Sequence, residues 1–97
     1  MSLLTKDLME QIPALFTTED IENPIVHLEI KSGNTTCLVT EIDEKHELMF
    51  GFCEVVKGCG ELGYVSIREI EELSERYYIG VKKVDKPLNE AKKELGY

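Results

Sequence analysis

Six residues past the middle of the chain, Gly58-Cys59-Gly60-Glu61-Leu62-Gly63, have the spacing G-x-G-x-x-G, in which glycines let a backbone close on a pyrophosphate at the start of a helix. Asp85 lies 22 residues beyond Gly63, where such a site places the acid that takes a ribose hydroxyl. Three features oppose that chemistry. The helix start signal comes only at Ser66, so its amides would not face a phosphate held by the glycines. Glu61 would put a carboxylate against the phosphates, and the motif follows what reads as an antiparallel meander. The glycines are therefore expected to serve as turn residues, with no cofactor.

Other reactive side chains assemble no better. A zinc site would have to join Cys53 and Cys59 to His27 or His46, and the five residues between the two cysteines are too many for the usual close pair. Cys37, Cys53 and Cys59 are expected as reduced thiols, with Cys59 exposed between glycines and only Lys57 nearby to acidify it. Nucleophilic catalysis has two histidine bases to draw on, His27 on a strand and His46 in a turn. Carboxylate pairs such as Glu41 with Asp43, or Glu71 with Glu75, arise by chance among nineteen acids. Neither a catalytic nor a metal site is expected.

The elements that would position these residues can be read from periodicity. Thr5 can cap a first helix carrying Leu8, Ile12 and Leu15, which Pro13 ends or restarts. Asn23-Pro24 forces an extended entry to a strand over Ile25 to Lys31, with Val26, Leu28 and Ile30 on one face. Ser32-Gly33-Asn34 joins it in a hairpin to Thr35 to Ile42. Leu48 to Val56 is a third strand in which Gly51 leaves room for a bulge or a large neighbour. Ser66 and Glu69 form a capping box for a helix with Ile67, Ile70, Leu73 and Tyr77 inward. Tyr78 to Val84 returns as a last strand, and residues 88–97 are expected as a frayed helix. The fold class is α+β: one domain over residues 1–97, a small antiparallel meander of four to five strands with the N-terminal and capped helices packed on one face.

The chain carries a net charge of −8, of which residues 1–48 account for −7. Such a surface repels duplex DNA and anionic membranes, since counterion release needs Lys and Arg facing the phosphates. The only basic concentration, Lys82, Lys83, Lys86, Lys92 and Lys93, reads as a solvated face. With 42% hydrophobic and 31% charged residues the composition is globular. No apolar run reaches the ~20 residues needed to span a bilayer. The first residues meet acid and amide too soon for a secretory signal, and a cytoplasmic protein is expected.

Leu3 to Leu8, Ile12 to Glu19, Thr40 to Asp43, Phe50-Gly51, and Glu61-Leu62-Gly63-Tyr64 with Ser66 and Glu69 resemble, in that order, the domain of unknown function 2958 family over nearly the whole chain. The resemblance implies a single α+β domain from bacteria, plasmids, integrative elements or phages, sometimes fused beside antirestriction-type domains. It implies no biochemical activity. Within it, Glu61 to Tyr64 is expected to be a structural turn feeding the capped helix. The chain departs from the family in lacking a Lys-Phe-Phe-type strand, a tryptophan in the second strand, and an Arg-Asp pair where Lys83-Val84-Asp85 stands.

Two functions remain. One is a non-enzymatic protein-interaction module of a mobile element, with anti-defence action through an acidic surface formed by Glu29, Glu41, Asp43, Glu44 and Glu47. The other is binding of single-stranded nucleic acid or a small ligand on the sheet, with Phe50, Phe52, Tyr64 or Tyr78 as stacking platforms. An edge strand at Ile25 to Lys31 or Tyr78 to Val84 would let two copies pair as a homodimer.

Overall fold

In the computed structural model the described residues are 6–15, 17, 21–33, 35–43, 45, 47–54 and 58–97, without the Leu8 side chain. Thr5, Glu44 and His46 fall outside them. Five strands form one antiparallel sheet: β1 (Ile25–Ser32), β2 (Thr35–Ile42), β3 (Leu48–Glu54), β4 (Glu61–Ser66) and β5 (Gly80–Pro87). Their order is β4-β3-β2-β1-β5. The first four follow as a meander, beginning with a hairpin whose turn uses the left-handed Gly33 at φ +59°. The last strand instead reaches the far edge of the sheet beside β1, after helix α2 (Ile67–Ser74) has crossed one face. Of the two strands expected to offer an edge, β1 is therefore interior and β5 is an edge.

Successive residues of β2 belong to different cores, which places a core on each face of the sheet. Cys37 and Val39 join Leu28, Ile30, Ile42 and Met49 under Ile67 and Ile70 of α2. Leu38 joins Val26, Phe52 and Val84 under helix α3 (Leu88–Glu94), through its Leu88 and Ala91. The two helices thus cover opposite faces, where the sequence reading put its helices on one. The expectation misplaced the second layer because residues 88–97 had been given no packing role.

Within residues 88–97, α3 (Leu88–Glu94) is a helix secured at both ends. The Asn89 amide donates to Asn23 Oδ1 at 2.8 Å and the Leu88 amide to the Pro24 carbonyl at 2.8 Å, so the residues entering β1 supply partners for the helix start. Lys92 and Lys93 stand in the last turn, where the dipole favours cations. Gly96 follows at φ +98°, and the amides of Gly96 and Tyr97 close back on the Lys93 and Lys92 carbonyls.

The expected N-terminal helix is not supported as a packed element. Helical geometry there is one five-residue turn, Lys6–Glu10 (α1), too short to hold itself. Beyond it the Ile42 amide donates to the Pro13 carbonyl at 2.9 Å and Ala14 bridges Ile42 in parallel, so the chain is drawn onto the end of β2. Ile12 is buried in the α2-side core, but from the bend after α1, where its amide donates to the Met9 carbonyl at 3.2 Å.

Two bulges adjust the pairing. Thr40 is the extra residue between Val39↔Gly51 and Glu41↔Phe50, and its hydroxyl donates to the Phe50 carbonyl at 3.3 Å. Beside this bulge Gly51 is tightly opposed: a Cβ there would overlap the Leu38 carbonyl, which is backbone and cannot step aside. At the second bulge, between Val26↔Lys86 and Leu28↔Lys83, His27 sits with Nδ1 3.9 Å from Asp85 Oδ1. Burial lowers the His27 pKa, Asp85 opposes this, and Lys83 adds to the lowering.

Gly51→Ala should destabilise the fold by about 1–3 kcal/mol or more, read as a lower urea midpoint. For His27 the folded imidazole binds protons less readily than the unfolded one. Its contribution is therefore full above about pH 6.5 and is lost as pH falls toward the lower folded value. Between about pH 8 and pH 5 the melting temperature of His27→Gln should fall less than that of the parent protein.

Candidate functional site

The glycine loop is closed by the end of the chain. Gly58 turns at φ +84°, and its amide donates to the carboxylate of the buried Glu54 at 3.3 Å. The Gly60 amide, which a phosphate would need, donates instead to Tyr97 Oη at 2.7 Å. A Cβ at Gly60 would overlap the Phe52 ring and stand 2.9 Å from that hydroxyl, so glycine is required for packing. Tyr97 meets Phe52 edge to face at 5.1 Å, and Lys92 Nζ lies 4.7 Å from the Phe52 ring centre. Partial burial and a hydrogen bond to Glu54 raise the Tyr97 pKa, against the Gly60 amide. From Glu61 onward the chain is a strand, so no helix start faces the glycines.

Glu61-Leu62-Gly63-Tyr64 is accordingly not a turn but most of the edge strand β4. Leu62 pairs with Phe52, Gly63 with Gly51, and Tyr64 with Phe50, whose ring lies edge-on at 5.1 Å. Cross-strand pairing of these aromatic and aliphatic side chains favours extended backbone over a turn. Ser66 then caps α2 as expected, its Oγ accepting from the Glu69 amide at 3.3 Å.

The five acids read as one surface are not brought together as one. Glu41 is 4% exposed on the central strand. Glu29 is half-buried, 3.5 Å from Lys31 and across from Lys82. Asp43 accepts from the Glu47 amide at 2.8 Å and shapes its own turn. Glu47 is exposed, and Glu44 lies outside the described residues. The stacking platform also fails to assemble. Phe52 is buried beneath Tyr97, while Phe50 and Tyr64 share a patch to which Tyr78 does not belong. Within the C-terminal basic concentration, Lys86 pairs with Glu94 and Lys92 lies over Phe52.

An anionic aromatic surface forms where sequence reasoning expected core. Leu73 and Tyr77 were placed inward by helical spacing, but α2 ends at Ser74 and the stripe ends with it. Leu73 is 49% exposed, Tyr77 61% and Tyr78 88%. Glu69, Glu72, Glu75 and Arg76 line an open depression beside Leu73, and Arg68 Nε donates to Glu72 at 3.3 Å, so three carboxylates stand against two guanidinium groups. Leu73 also roofs an apolar cavity of about 230 Å³ that runs beneath α2 to Ile30, Cys37, Val65, Ile70 and Ile79. The signal for this surface was the run Glu71-Glu72-Leu73-Ser74-Glu75-Arg76-Tyr77-Tyr78, in which adjacent tyrosines cannot both follow one helical stripe.

The family model described as "Protein of unknown function (DUF2958)" matches residues 3–95. No curated protein and no solved structure matches the chain.

Closure of the loop by Tyr97 can be measured directly. Tyr97→Phe removes the acceptor for the Gly60 amide and should lower the urea midpoint. Gly60→Ala forces the Phe52 ring aside and should cost about 1–3 kcal/mol. In a double-mutant cycle by urea unfolding, the two changes should be non-additive, because both act on the same contact.

Proposed function

We propose, for a chain that belongs to the DUF2958 family of proteins of unknown function, a non-enzymatic role as a protein-interaction module of a plasmid, phage or integrative element. The observation that carries this reading is the exposure of Leu73 beside the carboxylates of Glu69, Glu72 and Glu75, with the exposed Tyr77 and Tyr78 following within five residues of it along the chain. Tyrosines supply large contact area with few rotatable bonds, and they concentrate where protein partners bind. Surrounding carboxylates select a cationic partner, whose Arg or Lys side chains can pair with the acids and lie over the rings. Leu73 offers one exposed apolar side chain to the same contact.

A net charge of −8 draws a basic partner from a distance and keeps nucleic acid away. A surface of this kind competes with nucleic acid for the basic groove of a host defence protein, and anti-defence in the bacterial cytoplasm is the role we assign. No described helix is long and apolar enough to cross a membrane. This contact surface replaces the one first drawn around Glu29, Glu41, Asp43, Glu44 and Glu47.

The test is fluorescence anisotropy with a labelled arginine-rich peptide at low and moderate salt. Binding should weaken with salt. It should fall at least about tenfold in Tyr77→Ser/Tyr78→Ser and in Glu72→Gln/Glu75→Gln, since a central tyrosine commonly contributes more than about 1 kcal/mol. Equal binding by the parent and both variants would remove this surface from the reading. A short single-stranded oligonucleotide should not bind, and salt-dependent capture of it would favour nucleic-acid binding on the sheet instead.

A further inference from the structure

All three cysteines converge on one groove, and two of them face each other across the sheet. Cys37 of β2 is the direct register partner of Cys53 of β3. Cys37 is buried, Cys53 is half-buried and Cys59 is exposed. Together with Glu61, Leu62, Gly63, Tyr64 and Val65 they line an open groove of about 340 Å³ along β4. Directly opposed residues of an antiparallel pair have Cα atoms about 4.5–5.5 Å apart, inside the range of about 4.4–6.8 Å that a disulfide requires. Directly opposed Cβ atoms stand about 4.5–5.5 Å apart and a disulfide needs about 3.5–4.5 Å, so bridging draws them together by about 1 Å. Each thiol is the chief influence on the other's acidity, lowering the pKa of Cys37 and raising that of Cys53.

We propose that Cys37 and Cys53 form a reactive dithiol site that is oxidised by a small-molecule disulfide of the glutathione class entering through this groove. One sulfur of the pair, as thiolate, attacks the disulfide and displaces one thiolate. The second sulfur, on losing its proton, attacks the resulting mixed disulfide and displaces the other. The cysteines lose two electrons and two protons, a Cys37–Cys53 bond forms, and the small disulfide becomes two thiols. The register pairing of the thiols assists the first attack: the neighbouring thiol favours the Cys37 thiolate, while that neighbour and burial hold the Cys53 proton in place. The product staples two neighbouring interior strands, β2 and β3. Cys59, on the exposed loop, is the thiol most open to forming a lasting mixed disulfide, and it marks the alternative outcome.

The experiment treats the folded protein and Cys59→Ser with excess oxidised glutathione, then reads intact mass, thiols alkylated after denaturation, and non-reduced peptides. Cys59→Ser should lose the mass of two hydrogens without a glutathione adduct. Both remaining thiols should disappear together, dithiothreitol should restore them, and the urea midpoint should be higher in the oxidised form. The parent protein should yield a Cys37–Cys53 linked peptide, with any adduct confined to Cys59. In Cys53→Ser combined with Cys59→Ser, Cys37 should accumulate the mixed disulfide that no neighbouring thiol remains to resolve. Two free thiols in treated Cys59→Ser, a lasting adduct on Cys53 of that variant, or a Cys53–Cys59 link in the parent protein would each overturn the proposal.

Discussion

The pairing of β2 with β3 at the middle of the sheet is the constraint on which the other elements depend. Every residue from Thr36 to Ile42 is buried, polar ones included, because helices cover the sheet on both faces. A strand in that position cannot slip by one residue without exchanging the residues that face α2 for those that face α3. Gly51 allows the close approach, and Thr40 absorbs the extra residue so that Ile42 and Met49 still meet in the core under α2. The same register sets Cys37 against Cys53 and Leu38 against Phe52, so the thiol pair and the ring beneath Tyr97 have one structural origin.

From that centre the two ends of the sheet are treated differently. On the β5 edge, Lys82, Lys83, Asp85 and Pro87 make a charged border that resists pairing with another strand. On the β4 edge, Leu62 and Tyr64 remain exposed while the C-terminal residue reaches back to hold the loop that precedes the strand. The contact of Tyr97 with Gly60 joins residues 37 apart in sequence, linking α3 to the entry of β4. This tie explains why a stretch composed as a nucleotide loop serves instead as a packing seam. The glycine spacing is real, but the space that the glycines create is filled by Phe52 and Tyr97.

Much of the sheet was legible from local rules. Alternation in Ile25 to Lys31, the Gly33 turn, the β-branched run after it and the Ser66 cap all rest on interactions within a few residues, and each stands where it was read. What was missed depended on long-range packing. Glu41 looked like a surface acid because strand alternation presumes one solvated face, and nothing local reveals that α3 covers the other. Leu73 and Tyr77 looked like core because their spacing continues the apolar stripe, whereas the helix stops at Ser74 to let the chain reach the far edge. Glu61 to Tyr64 looked like a turn because glycine and a loop precede it, while Phe50 and Phe52 across the ladder draw it into a strand.

The misreadings of the site share a cause with those of the fold. A 97-residue chain that covers its sheet on both sides has little surface left with an unassigned structural role, so most charged and aromatic residues first taken as contacts are engaged internally. Asp43 shapes a turn, Lys92 lies over a ring, and Lys86 holds Glu94. Exposed apolar groups then collect where an element ends before its pattern does. The end of α2 is such a place: the helix crosses the sheet, stops short, and leaves Leu73 beside its own outward carboxylates, with Tyr77 and Tyr78 exposed just beyond. Partner-binding chemistry in so small a fold is therefore better sought at a topological crossing than in sequence clusters of like charge, since a crossing can expose apolar groups without opening the core.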